Sequence, residues 1–125
     1  MNRQLSRNFL SSEFRCKCKN PDCDGKVISP SHRLVSVLQT IRDDLGPVII
    51  VSGIRCQQHN ERVGGSSGSK HLFGIAADIR CQHVKASKLA TYLKSRFPNK
   101  YGIAYNASGG TVHIDVRSRS ARWSY

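Results

Sequence analysis

No apolar run in this chain approaches the roughly 20 residues that span a bilayer, so nothing in it reads as a membrane helix. The opening stretch, MNRQLSRNFLSSEFRCKC, has basic residues but no apolar h-region, which argues against a secretory signal. The expectation is a protein made in a cytoplasm, which something else must release if it acts outside one. Acidic residues are scarce, eight against twenty Lys and Arg, for a net charge of +12. That excess predicts attraction to a polyanion, either nucleic acid or an anionic bacterial wall. Yet there is no long Lys/Arg block, no interleaved aromatic platform and no basic recognition helix. A nucleic-acid-binding module is therefore the weaker reading. Internal repeats and low-complexity linkers are also missing. The 125 residues are enough for one domain with a single core, 1–125, with a monomer as the default.

Five cysteines cannot all pair within the chain, so a fully disulfide-stapled scaffold is not expected. Cys16, Cys18 and Cys23 cluster in CKCKNPDCDG, whereas Cys56 and Cys81 stand alone in the sequence. The C-x-C-x4-C spacing lacks the second matched pair of a standard zinc finger. Reduced, partly buried thiols are the expectation, and a structural metal with a distant fourth ligand is the alternative.

What is present reads as α+β, a small antiparallel sheet flanked by helices. SHRLVSVLQTIRDDL, residues 31–45, has apolar side chains at 34, 38, 41 and 45, a helical spacing. Pro30 suits its first turn and Gly46-Pro47 ends it. VIIV, 48–51, reads as a buried strand, and RCQQHNERVG as a short helix closed by Gly64. The glycine-serine loop 64–69 then delivers the chain to His71. A second long helix is expected from about 84 to 97, ended by Pro98. YGIAYN (101–106) and TVHIDV (111–116) read as strands joined by a glycine-rich hairpin.

His71 and Asp78 lie seven residues apart in SGSKHLFGIAADIR, an otherwise small and apolar setting. Both could be ligands of a zinc ion, which takes imidazole nitrogens and carboxylate oxygens at about 2.0–2.2 Å. His113 is the natural third. Strand alternation puts His113 and Asp115 on one face and Val112, Ile114 and Val116 on the other. The ordinary readings are a hydrogen-bonded histidine for each His, and a helix cap or an arginine partner for Asp78.

The chain resembles the D-alanyl-D-alanine carboxypeptidase family of zinc peptidases, which includes phage endolysin peptidases and vancomycin-resistance dipeptidases. Ser69, His71, Gly74, Ala76 and Asp78 fall on the family's S-x-H-x-x-G-x-A-x-D element. VSGIRCQQHN is similar to its S-G-Y-R segment, with Ile54 in place of tyrosine. VHIDVR and ARW resemble the second histidine segment and the tail, and SSEFRCKC the lead-in. The resemblance covers about 9–123, the core of a domain with a zinc cleft.

It implies Zn2+ held by His71, Asp78 and His113. Arg55 would bind a substrate carboxylate or polarise the scissile carbonyl, and Ser69 would orient substrate or the neighbouring ligand. Two family positions differ. A catalytic carboxylate expected three residues before the second histidine is Gly110, and the first histidine of an H-x-H arrangement is Thr111. Asp115 is then the first candidate for general base, with orientation of a ligand or pairing with Arg117 as its other role. His59 is the next candidate. The implied function is hydrolysis of peptide bonds in bacterial peptidoglycan, as DD-carboxypeptidase or endopeptidase, in the manner of a phage lysis enzyme. Its partners would be wall peptides and anionic wall polymers. The rival within the same family is a catalytically inactive, zinc-stabilised wall-binding domain.

Overall fold

Ser31 sits in extended backbone, and its hydroxyl accepts the Leu34 amide at 3.0 Å, so helix α1 (His32–Leu45) starts one residue later. Pro30 therefore precedes the cap rather than lying in the first turn. Leu34, Leu38 and Ile41 fall on one stripe and are fully buried. Gly46 closes the helix by donating its amide to the Arg42 carbonyl at 3.0 Å. The computed structural model describes residues 3–18, 23, 29–66 and 68–125.

After α1 come strand β3 (Val48–Ser52), helix α2 (Gln57–Arg62), a 3-10 turn at Lys70–Phe73 and strand β4 (Ala76–Cys81). Helix α3 (Ala86–Arg96), strands β5 (Gly102–Asn106) and β6 (Thr111–Asp115), and strand β7 (Ala121–Ser124) complete the chain. At the N-terminus, β1 (Gln4–Ser6) and β2 (Phe9–Leu10) form a two-stranded hairpin. It lies on α1, where Ser6 and Asn8 both bond the Gln39 side chain. A 3-10 turn at Ser11–Phe14 follows, and Phe9 and Phe14 are buried with ring centroids 6.0 Å apart.

The main sheet has the order β3-β4-β6-β5-β7. The expected antiparallel pairing holds from β3 through β5, but β5 and β7 run parallel. The link 116–120 carries the chain past the end of β5 to its free edge, where β7 extends the sheet. The sequence pattern does not single out β4 as a strand, and it gives β7 only as a tail.

The sheet's two faces differ in chemistry. Ile50, Ala77, Ile79, Ile103, Val112 and Ile114 point into one apolar cluster, which Leu34, Leu38 and Ile41 of α1 and Leu89 and Leu93 of α3 cover. Both long helices thus share one face. Burying each large aliphatic side chain contributes roughly 1.5–3 kcal/mol. The other face carries Asp78, His113 and Asp115, as the alternation in TVHIDV predicts. Among the described residues, no helix is long and apolar enough to cross a membrane.

Candidate functional site

Strand pairing sets the site. Asp78 on β4 is opposite His113 on β6, which is opposite Ala104 on β5, which is opposite Trp123 on β7. Adjacent strands are about 4.8 Å apart, so the Asp78 and His113 side chains meet on the face opposite α1 and α3. His71 comes from the 3-10 turn before β4. Ser69 caps that turn, its hydroxyl accepting the His71 amide at 3.3 Å.

The three side chains converge on one point. Asp78 Oδ1 lies 3.2 Å from His71 Nε2 and 3.0 Å from His113 Nδ1, and all three groups are buried. The outer nitrogens decide the tautomers. His71 Nδ1 is 2.6 Å from the Gly53 carbonyl, which only accepts, so Nδ1 carries the proton. His113 Nε2 is 2.7 Å from Asp115 Oδ2, an ionised carboxylate, so there Nε2 donates. Each neutral ring then turns a lone pair toward the Asp78 oxygen. Two ring lone pairs aimed at one carboxylate oxygen, at 3.2 and 3.0 Å, need a proton or a cation between them. The edge of a tetrahedral site with ligands at 2.0–2.2 Å is about 3.3–3.6 Å, a small adjustment away. The donor set fits a zinc-type ion, and His71, Asp78 and His113 could hold one.

Titration behaviour follows the same geometry. Burial would raise the Asp78 carboxyl, but hydrogen bonds and charge from His113 and His71 hold it well below the usual range. Burial would lower His113, yet the carboxylates of Asp115 and Asp78 raise it.

Asp115 is fully buried and makes no approach to open space. Besides His113, it accepts from Arg117 at Nη2 (2.7 Å), Nε (2.8 Å) and the backbone amide (3.1 Å). Gly102 on β5 faces it, and a Cβ there would lie 2.4 Å from Asp115 Oδ2. The missing side chain is what admits the Asp115–Arg117 pair.

Arg55 donates to the other Asp78 oxygen, Oδ2, at 3.1 Å, and to Ser52 and Asn60 at 3.2 Å each. Asn60 is itself buried and held by the Ser66 carbonyl at 2.7 Å. The SGIR segment is placed by close backbone approach. Ile54 donates to the Phe14 carbonyl at 2.8 Å, and a Cβ on Gly53 would sit 2.9 Å from the Phe14 Cα. His59 belongs to α2 and makes no hydrogen bond to His71, Asp78 or His113. Its amide donates to Cys56 Sγ at 3.4 Å, and its Nδ1 is buried without a hydrogen-bond partner among the described residues. Burial, with the charges of Arg55 and Arg62, lowers its pKa.

Three residues at the site were not singled out from the sequence. Trp123 lies beside His113, with centroids 5.2 Å apart, and the Arg117 guanidinium sits 4.8 Å from its ring centroid. The Tyr125 hydroxyl reaches Asp78 Oδ1 at 3.4 Å and also bonds Thr111, the residue at the altered family position. Asn60 belongs to the VSGIRCQQHN segment that carries the resemblance, but the sequence assigns it no role of its own. Aromatic content in the tail was the available signal, but it carries no partner until β7 is paired.

The cysteine expectation needs one correction. Cys56 does not stand alone: it joins Cys16, Cys18 and Cys23, whereas Cys81 is buried in the core.

The comparisons with known proteins agree with this geometry. The sequence model of the peptidase M15 family matches residues 7–115. A zinc D-Ala-D-Ala carboxypeptidase from Streptomyces albus G is 35% identical over 58% of this chain. The chain spans 31% of that relative's length. With two histidines and an aspartate converging from a 3-10 turn and two paired strands, and with most of its length matched, the chain belongs to the peptidase M15 family.

Proposed function

We propose that the protein is a zinc-dependent peptidase that hydrolyses peptide bonds of bacterial peptidoglycan, as a DD-carboxypeptidase or endopeptidase. The observation that carries this reading is the convergence of two imidazole lone pairs and one carboxylate oxygen at 3.0–3.2 Å. A bound zinc ion would supply Lewis acidity toward the scissile carbonyl and toward water.

The chain's own residues would do the rest. Arg55, held by Asp78, Ser52 and Asn60, would present its guanidinium to a substrate carboxylate or to the developing oxyanion. Asp115 would fix the tautomer and orientation of His113, the second of the two roles its position allows. Burial and the Asp78 charge push the Tyr125 phenol up, so it stays protonated and suited to donate to a leaving amine. Trp123 would form one wall for the peptide. The +12 charge would hold the enzyme near anionic wall polymers, with a phage-type lysis enzyme as the setting.

A second reading is a wall-binding domain that keeps the metal without cutting. It is favoured by Gly110, which places no side chain where the family carries a carboxylate. Among the described residues, only Asp78 and Asp115 offer carboxylates to the site's imidazoles. Metal content and muropeptide cleavage, measured together on wild type and on His113→Ala, test both. The peptidase reading expects cleavage by wild type, and one zinc fewer per chain with no cleavage in the variant. Zinc loss in the variant without cleavage by wild type selects the binding domain. Equal zinc in both proteins overturns the site.

A further inference from the structure

The segment around Cys16, Cys18 and Cys23 has no hydrophobic anchor of its own. RCKCKNPDCDGK, residues 15–26, contains no Val, Leu, Ile, Phe or Met. Such a stretch cannot be fixed by apolar burial, yet Cys16 is buried at 4% exposure and Cys18 and Cys23 are partly buried.

The cysteine sulfurs form one group rather than two pairs. Those of Cys16, Cys18, Cys23 and Cys56 all lie within 4.8 Å of one another. Cys18 and Cys56 are 3.7 Å apart at Sγ, and all four residues are unbridged. A disulfide needs about 2.05 Å. Four thiolates around one zinc at about 2.3 Å, arranged as a tetrahedron, stand about 3.8 Å apart. Two backbone amides donate to these sulfurs, Cys56 N to Cys16 Sγ at 3.3 Å and His59 N to Cys56 Sγ at 3.4 Å. Amide donors directed at sulfur favour its anionic form, the form that ligates a metal.

We propose that Cys16, Cys18, Cys23 and Cys56 form a second, structural zinc site, closed by four thiolates and separate from the histidine site. The C-x-C-x4-C segment supplies three ligands and the residue after Arg55 the fourth. Ligation releases the thiol protons and leaves a complex of charge 2−, adjoined in sequence by the basic Arg15, Lys17 and Arg55. The ion would tie the N-terminal segment to Gly53–Cys56, whose Gly53 carbonyl and Arg55 guanidinium position His71 and Asp78. Its role is positional. It rests on the thiol geometry alone and stands whether or not the protein cuts wall peptides.

The test uses the full chain carrying His71→Ala and His113→Ala, loaded with zinc or cobalt(II). One zinc per chain should remain in this variant and two in wild type. Cobalt should give thiolate-to-metal charge-transfer absorption in both proteins. Cys18→Ser should remove one zinc from each background. If that substitution prevents folding, the cobalt spectrum of the cysteine-intact proteins carries the test. After unfolding without reductant, all five thiols should titrate. Absence of zinc and of the cobalt band in the double-histidine variant overturns the proposal. So does a thiol count of one, with the mass deficit of two disulfides.

Discussion

At the scale of single residues, Asp115 separates two chemistries that a sequence cannot. Every hydrogen bond its carboxylate makes is to His113 or Arg117, and none is to space a substrate could enter. If its work is to orient His113, Asp115→Asn lowers zinc affinity, or turnover through it, by about 10–100-fold. A chelator competition assay alongside peptide cleavage reads both quantities. Unchanged affinity with turnover abolished would make Asp115 the base instead. Cys81 offers a contrasting prediction. Burial pushes its thiol up to about 11, so at pH 7–9 it stays protonated in the native core. The thiolate is the nucleophile, so native Cys81 should alkylate far more slowly than an exposed cysteine. Its rate should climb only as pH nears 11, as mass spectrometry of the native protein would show.

At the scale of elements, strand register decides what a small substitution does. Gly102→Ala places a methyl 2.4 Å from Asp115 Oδ2 and 2.6 Å from Arg117 Nε. Overpacking of this kind costs about 1–3 kcal/mol, and here it should also weaken zinc binding by moving the Asp115–His113 pair. Gly110→Ala is the control. It lies at φ +67° with no heavy atom within 4 Å of the added carbon, so it should lower stability by about 1 kcal/mol and spare the metal. Thermal melts with and without zinc distinguish the two. Strand β6 was legible because TVHIDV alternates, one face apolar and one polar. Strand β4 was not, because AADIRC is buried at five of its six positions and small alanines blur its period. Strand β7 was legible only as a tail, because ARWS is short and becomes a strand through its parallel pairing with β5. The histidine-aspartate set could be read from motif spacing. The fourth cysteine could not, since residue 56 joins residues 16–23 only once the chain has folded.

For the whole molecule, the +12 charge is a long-range property that no contact in the site expresses. Its effect is screened within about 8 Å at physiological ionic strength. Raising salt should therefore weaken retention on anionic wall polymers while leaving cleavage of a short, neutral peptide nearly unchanged. Co-sedimentation with intact walls and a soluble peptide assay, run over the same salt series, check this. If both quantities fell together, charge would be acting within the site itself.

The hydrogen bond from His71 to the Gly53 carbonyl has a practical corollary for anyone mapping this protein by mutagenesis. The acceptor is a main-chain oxygen, so an alanine scan can remove the histidine but never the group that aims it. The neighbouring bond from Ile54 to the Phe14 carbonyl is equally invisible to such a scan. Only a backbone edit, such as an ester in place of an amide, would report how much of the histidine's aim is written into the main chain.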